Sequence, residues 1–269
     1  MKKERLDILL TDRGLVESRS LAQKLVMAGN ILVNGQPIFK PASKVDLTSE
    51  ITVQSGPKFV SRGGEKLEPA LESFGFTNLE DKICADLGSS TGGFTDCMLQ
   101  HGAKRVYAVD VGYGILHWKL RNDARVVVME RTNARYIKEF QDQIDLVTID
   151  ASFISLKTLL PSVKDWLPFD GNVIALIKPQ FEAGKQEAAK GAGVIRDQLI
   201  HKKIIHDILT YVLNLEFDIK GLLLSPLKGP KGNIEFLVHL QKVKIQKSST
   251  SDIELFMSKI FTEDDSAPV

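Results

Sequence analysis

The sequence has few cysteines, few histidines and no long apolar run. Cys84 and Cys97 are the only cysteines among 269 residues. One falls in a predicted strand and the other in a predicted helix, which favours two separate buried thiols over a disulfide or a metal pair. The five histidines show no ligand spacing with the cysteines, so no metal site is expected. The longest apolar runs, such as residues 173–177, are too short to span a bilayer, and the N-terminus lacks the apolar core of a signal peptide. These absences predict a cytoplasmic protein with neither a metal nor a membrane partner.

Neither positive nor negative charge is in large excess. There are 35 Lys and Arg residues against 34 Asp and Glu residues, which leaves a net charge of +1. Any surface for a nucleic acid must therefore be a local patch. The hydrophobic content of 43% and the charged content of 26% are ordinary for a globular protein.

The sequence pattern changes near residue 56, which predicts two domains. Before this point, two short helical patterns end at Gly14 and Gly29, and Asn34-Gly35 lies between apolar residues as in a two-residue hairpin turn. Residues 1–56 are therefore predicted to form a small α+β domain. Three further segments are predicted: a polar linker at 57–64, a larger domain at 65–243, and a polar tail at 244–269. Within the tail, residues 252–261 could form a short helix, and the last residues are expected to be disordered.

The larger domain alternates predicted strands with predicted helices. Near-continuous apolar runs, typical of strands buried on both faces, occur at 83–87, 105–110, 125–130, 145–150 and 172–178. The clearest helix pattern runs from Asp197 to Leu213, and two further strands are predicted at 218–225 and 233–241. This order of elements predicts an α/β fold, with a mostly parallel sheet and helices on both faces.

A loop rich in Gly, Ser and Thr follows the first of these strands. Residues Gly88–Gly93 join the strand to a predicted helix, and Asp110 ends the next strand, where a carboxylate can accept hydrogen bonds from ribose hydroxyls. The loop has neither a GxGxxG pattern nor the lysine of a P-loop, so S-adenosylmethionine is the preferred ligand. The alternative is a glycine turn that only allows the helix to pack closely, with Asp110 as a solvated acid.

Four charged residues are predicted at element ends along one edge of the sheet: Lys66, Asp150, Lys178 and Glu235. Single charges at such positions are normally solvated, but methylation of a ribose 2′-hydroxyl would give the set a role. A lysine that is crowded by a second ammonium and partly desolvated has a lowered pKa and can accept a proton, although nearby carboxylates act in the opposite direction. We expect Lys178 to be this base, because Asp150 and Lys178 end neighbouring strands. Methylation of a base fits less well, since residues 150–153 lack the paired prolines of amino-methylating enzymes.

Several motifs resemble one protein family over most of the chain. RLDILLTDRGL, SRSLAQKLVMAGNILVNG and KPASKV are similar to an S4-type RNA-binding domain. FVSRGGEKL, DLGSSTGGFTD, DASFISL, LIKPQFEAG and SPLKGPKGNIEF resemble the TlyA family, also named hemolysin A, whose catalytic domain is an FtsJ-type class I methyltransferase. The resemblance implies a Rossmann-like sheet that uses S-adenosylmethionine to methylate the ribose 2′-hydroxyl of cytidine. The substrate would be large-subunit ribosomal RNA and, for some members, small-subunit RNA.

The resemblance also implies the roles of individual residues. The catalytic tetrad would be Lys66, Asp150, Lys178 and Glu235. The cofactor-binding residues would be Asp86, Gly88, Ser89, Ser90, Thr91, Gly92, Gly93, Phe94, Thr95, Asp110 and Asn133. The candidates for RNA binding are Arg5, Arg13, Arg19, Lys24, Lys40, Arg62, Lys228 and Lys231, followed by Lys185, Lys190 and Arg196. Scattered surface charge is the alternative for the basic residues, and the target nucleotide would have to be flipped out of its RNA.

Two other functions stay open from the sequence alone. The chain could be an RNA-binding or ribosome-assembly factor without catalytic activity, although all four tetrad positions are present. It could also be the membrane-lytic protein that the name hemolysin suggests, although no long apolar segment favours this.

Overall fold

The computed structural model describes residues 2–54, 56–184, 191–245 and 247–261, which form two compact units. The first unit ends at Lys58 and the second begins at Phe59. This boundary lies within the predicted linker of residues 57–64. Phe59 is 2% exposed and packs in a core of the second unit, and the main-chain N–H of Val60 donates to Asp96 Oδ2 at 2.9 Å. Residues from 59 onward therefore belong to the second unit, because an aromatic side chain is buried where a solvated linker was expected.

The first unit is a small α+β fold, as predicted. Its elements are β1 (Lys3–Arg5), α1 (Leu6–Asp12), α2 (Arg19–Met27), β2 (Ile31–Val33), β3 (Gln36–Pro37), β4 (Lys44–Asp46) and β5 (Ile51–Val53). Strand β1 pairs with β4, and β2 pairs with both β3 and β5, all antiparallel. The predicted hairpin turn is present, since Asn34 and Gly35 have positive φ angles of 50° and 77°, as a type I′ turn requires.

The second unit alternates helices and strands from its first residues. Its elements are α3 (Gly63–Ser73), β6 (Ile83–Leu87), α4 (Gly93–Gln100), β7 (Arg105–Val109), α5 (Trp118–Arg121), β8 (Val126–Met129), β9 (Leu146–Ile149), α6 (Leu156–Trp166), β10 (Asn172–Ile177), α7 (Pro179–Glu182), α8 (Gln198–Leu213), β11 (Phe217–Leu224), β12 (Phe236–Lys242) and α9 (Thr250–Ile260). A 3₁₀ turn at Ala134–Tyr136 lies between β8 and β9. The strands predicted from apolar runs are all present, shorter by one or two residues at most ends.

The seven strands of this unit form one sheet in the order β11-β12-β10-β9-β6-β7-β8. Strands β6 to β10 are parallel, whereas β12 is antiparallel to both β10 and β11. Alternate residues of β10 join different cores: Val173, Ala175 and Ile177 pack with α6 and α8, and Ile174 and Leu176 pack with α3 and α4. The mostly parallel sheet with helices on both faces is thus confirmed.

The C-terminal segment is not a separate tail as far as residue 261. Helix α9 covers most of the predicted short helix, and its Ile253 is fully buried in the core. The main-chain N–H groups of Lys247 and Ser248 donate to the buried carboxylate of Asp218 at 2.8 and 2.9 Å. One apolar helix face and one buried acid therefore attach this segment to the second unit beyond the boundary predicted at residue 244. Residues 262–269, which were expected to be disordered, lie outside the described residues.

Candidate active site

Strand pairing brings the four predicted charged residues to one edge of the sheet. Asp150 follows β9, and Lys178 follows β10, its parallel neighbour. Glu235 directly precedes β12, whose first residue Phe236 pairs with Ile177, so Glu235 lies next to Lys178 in the register of the sheet. Lys66 reaches the same edge from the first turn of α3, and its Nζ donates to Glu235 Oε2 at 2.6 Å.

The second lysine of the tetrad is held by the loop that follows β9. Lys178 Nζ lies 2.5 Å from Asp150 Oδ1 and donates to Ser152 Oγ at 3.2 Å and to the main-chain oxygen of Asp150 at 3.4 Å. The contact with Oδ1 is an ion pair, so Lys178 is the charged partner of this carboxylate oxygen. Lys66 and Lys178 are each 8% exposed and Glu235 is 2% exposed, so each lysine has a carboxylate partner in a poorly hydrated site.

Two cavities meet at Asp150. The larger, of about 520 Å³, is lined by residues from the ends of β6, β7 and β9 and includes Gly88, Ser90, Asp110 and Asn133. The smaller, of about 190 Å³, lies between the starts of α3 and α4 and is lined by Ser61, Arg62, Gly63, Lys66, Gly88, Ser89, Ser90, Thr91, Gly93, Phe94, Asp150 and Pro230. Most of the predicted cofactor-binding residues therefore line one of these cavities. Both cavities reach the tetrad at Asp150, and the smaller one also reaches it at Lys66.

The glycine loop follows the sheet edge closely. Gly88 has a φ of +80°, and a Cβ atom there would come within 2.8 Å of the Asp150 main-chain oxygen. The main-chain N–H of Ser90 donates to Asp110 Oδ2 at 2.8 Å, and that of Gly112 donates to Asp110 Oδ1 at 2.7 Å. Asp110 thus connects the glycine loop to the loop after β7, and its carboxylate stands in the wall of the larger cavity.

Three predicted cofactor-binding residues line neither cavity. Asp86 and Thr95 are fully buried, and Asp86 accepts hydrogen bonds from Thr95 Oγ1 at 2.6 Å and from Thr148 Oγ1 at 3.2 Å. Burial raises the pKa of the Asp86 carboxyl to about 7, while both hydrogen bonds oppose the rise. Gly92 faces Leu116 and Leu120. In the structure, Asp86 and Thr95 thus connect β6, α4 and β9, and Gly92 allows α4 to begin close to Leu116 and Leu120.

Comparison with known proteins identifies both units. Residues 59–242 match the model of the FtsJ-like methyltransferase family, and residues 4–51 match that of the S4 domain. The chain belongs to the FtsJ-like methyltransferase family. The 16S/23S rRNA (cytidine-2'-O)-methyltransferase TlyA of Mycobacterium tuberculosis is 40% identical over 266 residues, which cover 97% of this chain and 98% of that protein. Hemolysin A of Brachyspira hyodysenteriae is 46% identical over 238 residues, with coverages of 87% and 98%.

A solved structure resembles this chain over nearly its whole length. The Streptococcus thermophilus protein, provisionally named a hemolysin, is 44% identical and superposes with a TM-score of 0.71 over 96% of each chain. Within the described residues of the present chain, no helix has the length and hydropathy that a membrane crossing requires.

Two of the RNA-binding candidates in the S4 unit share one buried acid. Asp7 is fully buried in the first turn of α1. It accepts hydrogen bonds from Arg5 at 2.9 and 3.0 Å, from Arg19 at 3.0 Å and from Gln23 at 2.9 Å. The Arg5 hydrogen bond, followed by those of Gln23 and Arg19, holds the pKa of the Asp7 carboxyl far below its usual value of 3.8. Arg5 and Arg19 are therefore partly neutralised and fixed in orientation, with side chains that are 38% and 53% exposed.

We expect Asp7→Asn to lower the stability of the S4 unit by about 2–3 kcal/mol at neutral pH, because three donors lose an ionised acceptor. The Asp7 pKa is lowered in the folded state, so its contribution is complete above the usual value of 3.8 and is lost as the pH falls below it. Hydrogen exchange of amides in α1 and α2 measures the difference between the two proteins at pH 7 and at about pH 2, where most of it should be lost. Asp12→Asn, on the exposed end of the same helix, is the control; equal exchange in both variants would contradict this role of Asp7.

The remaining basic candidates differ in their surroundings. Arg13 donates to the main-chain oxygens of Leu47 and Ser49 within the S4 unit. Exposed side chains belong to Lys24, Lys40, Arg62, Arg196, Lys228 and Lys231. Arg62 lines the smaller cavity. Lys228 and Lys231 flank Gly229, which packs against Glu235. Lys185 and Lys190 lie outside the described residues.

Four residues that the sequence did not single out also belong to the site. Ser152 accepts from Lys178, as described above, and Phe153 beside it is 90% exposed with a φ of +63°. Gln180 Nε2 donates to Glu235 Oε1 at 3.3 Å. Glu182 accepts from Ser155 Oγ at 2.5 Å and from the Leu156 main-chain N–H at 2.7 Å, and burial raises its pKa. All four lie within a few residues of Asp150 or Lys178, which is the signal that could have identified them.

Proposed function

We propose that the chain methylates a ribose 2′-hydroxyl of ribosomal RNA with S-adenosylmethionine as the methyl donor, and that the acceptor is cytidine. The observation that carries this proposal is the assembly of Lys66, Asp150, Lys178 and Glu235 where the two cavities meet. An enzyme of this kind would act on ribosomal subunits in the cytoplasm.

The larger cavity suits S-adenosylmethionine. Its volume of about 520 Å³ is within the range of about 300–1,000 Å³ that is typical of small-molecule sites. Asp110 would accept hydrogen bonds from ribose hydroxyls, Asn133 would lie along the adenosine, and the main chain of Gly88 permits close approach. The N-terminus of α4 would favour a carboxylate at the smaller cavity. When bound, the donor supplies an electrophilic methyl group on a sulfonium.

The tetrad would provide a base and a fixed orientation for the acceptor. Lys178 is the proposed base: in its neutral form, Nζ would take the 2′-hydroxyl proton while the ribose oxygen receives the methyl group. Asp150 and Ser152 fix the position of Nζ, and Asp150 offsets the charge that develops on it. Lys66, held by Glu235 at 2.6 Å, would position the ribose from the opposite side. Orientation of the two reactants can supply about 7–11 kcal/mol of the barrier.

The S4 unit supports RNA as the acceptor. S4 domains bind RNA, and the exposed basic residues of this unit, including Lys24 and Lys40, can contact phosphates. RNA-binding proteins recognise folded RNA through splayed bases and shape. We therefore propose that this unit binds the ribosomal RNA that the FtsJ-like unit modifies.

The proposal is tested by incubating the purified chain with radiolabelled S-adenosylmethionine and ribosomal subunits that lack the modification. We expect label in the RNA of at least one subunit, and none when Asp150→Ala replaces the wild type. Absence of label from the RNA of both subunits with the wild-type chain would contradict the proposal.

Phe153 is well placed to support a flipped base. Its ring lies 4.9 Å from that of Phe181, which in turn lies 5.8 Å from Lys178 Nζ. A large aromatic side chain with a positive φ and 90% exposure is costly unless it binds something. Bases stack on such rings in single-stranded RNA.

We expect Phe153→Ala to raise the KM for RNA about 10-fold or more, as the loss of one stacked base predicts. Phe153 also lines the larger cavity, so the Kd for S-adenosylmethionine is measured beside the KM; it should change less than the KM, because 90% of the side chain is exposed. Phe169→Ala removes another exposed phenylalanine, which follows α6 and lies at the opposite edge of the sheet, and serves as the control. An unchanged KM in Phe153→Ala would exclude this role.

A further inference from the structure

One buried side-chain oxygen of the active site, Oε1 of Gln180, has no hydrogen-bond donor among the described residues. Gln180 is the second residue after Lys178. It differs in this from the nearby Asp150 Oδ1, which has Lys178 Nζ as an ion-pair partner at 2.5 Å. Buried acceptors without donors are rare in folded proteins and destabilise them. The position of Gln180 Oε1 beside the tetrad points to a donor that arrives with a ligand.

The orientation of the Gln180 amide follows from its neighbour Glu235. The Nε2 atom lies 3.3 Å from Glu235 Oε1, while Lys66 donates to the other carboxylate oxygen. An ionised carboxylate only accepts hydrogen bonds, so a reversed amide would bring two acceptors together. Nε2 therefore faces Glu235, and Oε1 faces away from it as an acceptor beside the tetrad.

The position of Gln180 indicates that the hydrogen-bond donor for its Oε1 comes from the acceptor nucleotide and not from the methyl donor. Gln180 lines neither of the two cavities that adjoin the glycine loop. It follows Lys178, the proposed base, and its side chain is half-buried, so a nucleotide can approach it with a local shift of the amide.

The chemistry of a nucleotide limits which of its groups can donate this hydrogen bond. Within an RNA chain, a nucleotide can donate hydrogen bonds only from its 2′-hydroxyl and from N–H groups of its base. The proposed reaction places the 2′-hydroxyl at Lys178 and Asp150, which leaves the base. Cytosine carries an amine at its 4-position, where uracil carries an oxygen that only accepts.

We propose that Gln180 reads the base of the acceptor nucleotide, with Oε1 accepting a hydrogen bond from the exocyclic amine of cytosine. The inference rests on the proposed function. A uridine at the same place would set its O4 against Oε1, and both oxygens would be without a donor. A site built in this way rejects the analogue that lacks the matching group.

The test compares subunits or RNA fragments that carry cytidine or uridine at the modified position, once that position is known. We expect the wild type to have a kcat/KM about 10- to 100-fold higher for cytidine, the effect of one buried hydrogen bond. In Gln180→Leu, this preference should fall to within about threefold, mainly through slower reaction of cytidine. Gln180→Met, which is unbranched, serves if the leucine variant does not fold, and Gln141→Leu, an exposed position, is the control.

The outcomes separate this inference from the proposed function. Equal loss of activity towards cytidine and uridine in the Gln180 variants would show that Gln180 only positions Glu235 and would overturn the inference. A wild-type enzyme that does not distinguish the two bases would overturn it as well. Absence of ribose methylation by the wild type would overturn the proposed function and, with it, the reading of the base.

Discussion

Replacement of Lys178 with alanine is expected to slow methyl transfer to RNA by about 10²–10⁴-fold, the usual contribution of a positioned base. Lys178 is 8% exposed and is held by Asp150 and Ser152 at the end of β10. The other lysine of the tetrad, Lys66, forms its own ion pair with Glu235. The measurement is the single-turnover rate at saturating S-adenosylmethionine, which separates chemistry from binding.

The Lys178→Ala variant also leaves Asp150 without its ion-pair partner, so folding must be checked. Its Kd for S-adenosylmethionine should change by less than about threefold, since the larger cavity does not include Lys178. Lys164→Ala removes a lysine from another ion pair, with Glu216 at 2.8 Å, and should retain the wild-type rate. A folded Lys178→Ala variant with a rate within about threefold of the wild type would mean that another group is the base.

The second large effect is expected from Gly88→Ala, which should weaken S-adenosylmethionine binding about 100-fold. A Cβ atom at Gly88 would meet the main-chain oxygen of Asp150 at 2.8 Å, so the glycine loop or the end of β9 has to move. Displacements of about 1 Å in a site can cost about 100-fold. Isothermal titration calorimetry with S-adenosylmethionine measures the Kd directly.

Gly75→Ala provides a matched control for this substitution. Gly75 has a φ of +82°, close to the +80° of Gly88, but nothing lies within 4 Å of the added Cβ. Both variants should lose about 1–2 kcal/mol of stability from the positive φ, and only Gly88→Ala should lose ligand binding. Equal binding by the two variants would place the ligand away from Gly88.

The main features of the fold could be predicted because they follow from local patterns. Near-continuous apolar runs identified the strands, and Asn34-Gly35 identified the hairpin. The antiparallel direction of β12 could not be read from the chain, yet it is this strand that places Glu235 beside Lys178 and within reach of Lys66. The position of Phe59 in the core and the attachment of α9 also depend on contacts between distant residues.

The site residues could be predicted where their position along a strand fixes their location. Asp150, Lys178 and Asp110 all follow strand ends, so their common edge was expected. The burial of a site residue could not be predicted in this way. The sequence does not show that Asp86 accepts hydrogen bonds from Thr95 and Thr148 inside the protein. The same limit applied to Gln180, whose role depends on the direction of its amide.

The surroundings of the basic residues in the S4 unit could not be predicted from the sequence. Arg5 and Arg19, which the resemblance implies as RNA-binding residues, are both held by one buried acid, Asp7. Arg13 is used by main-chain oxygens of its own unit. For the other basic residues of this unit, such as Lys24 and Lys40, the structure adds that their side chains are exposed.

The central claim is that the methyl group is placed on a ribose oxygen, and the position of the methyl group tests it most directly. RNA labelled by the wild-type chain is digested to nucleosides, and the labelled nucleoside is identified by mass spectrometry. We predict label on the ribose of 2′-O-methylcytidine, which also makes the adjacent phosphodiester resistant to alkali because the 2′-hydroxyl is blocked. Label on the base, with an alkali-sensitive linkage, would contradict the account.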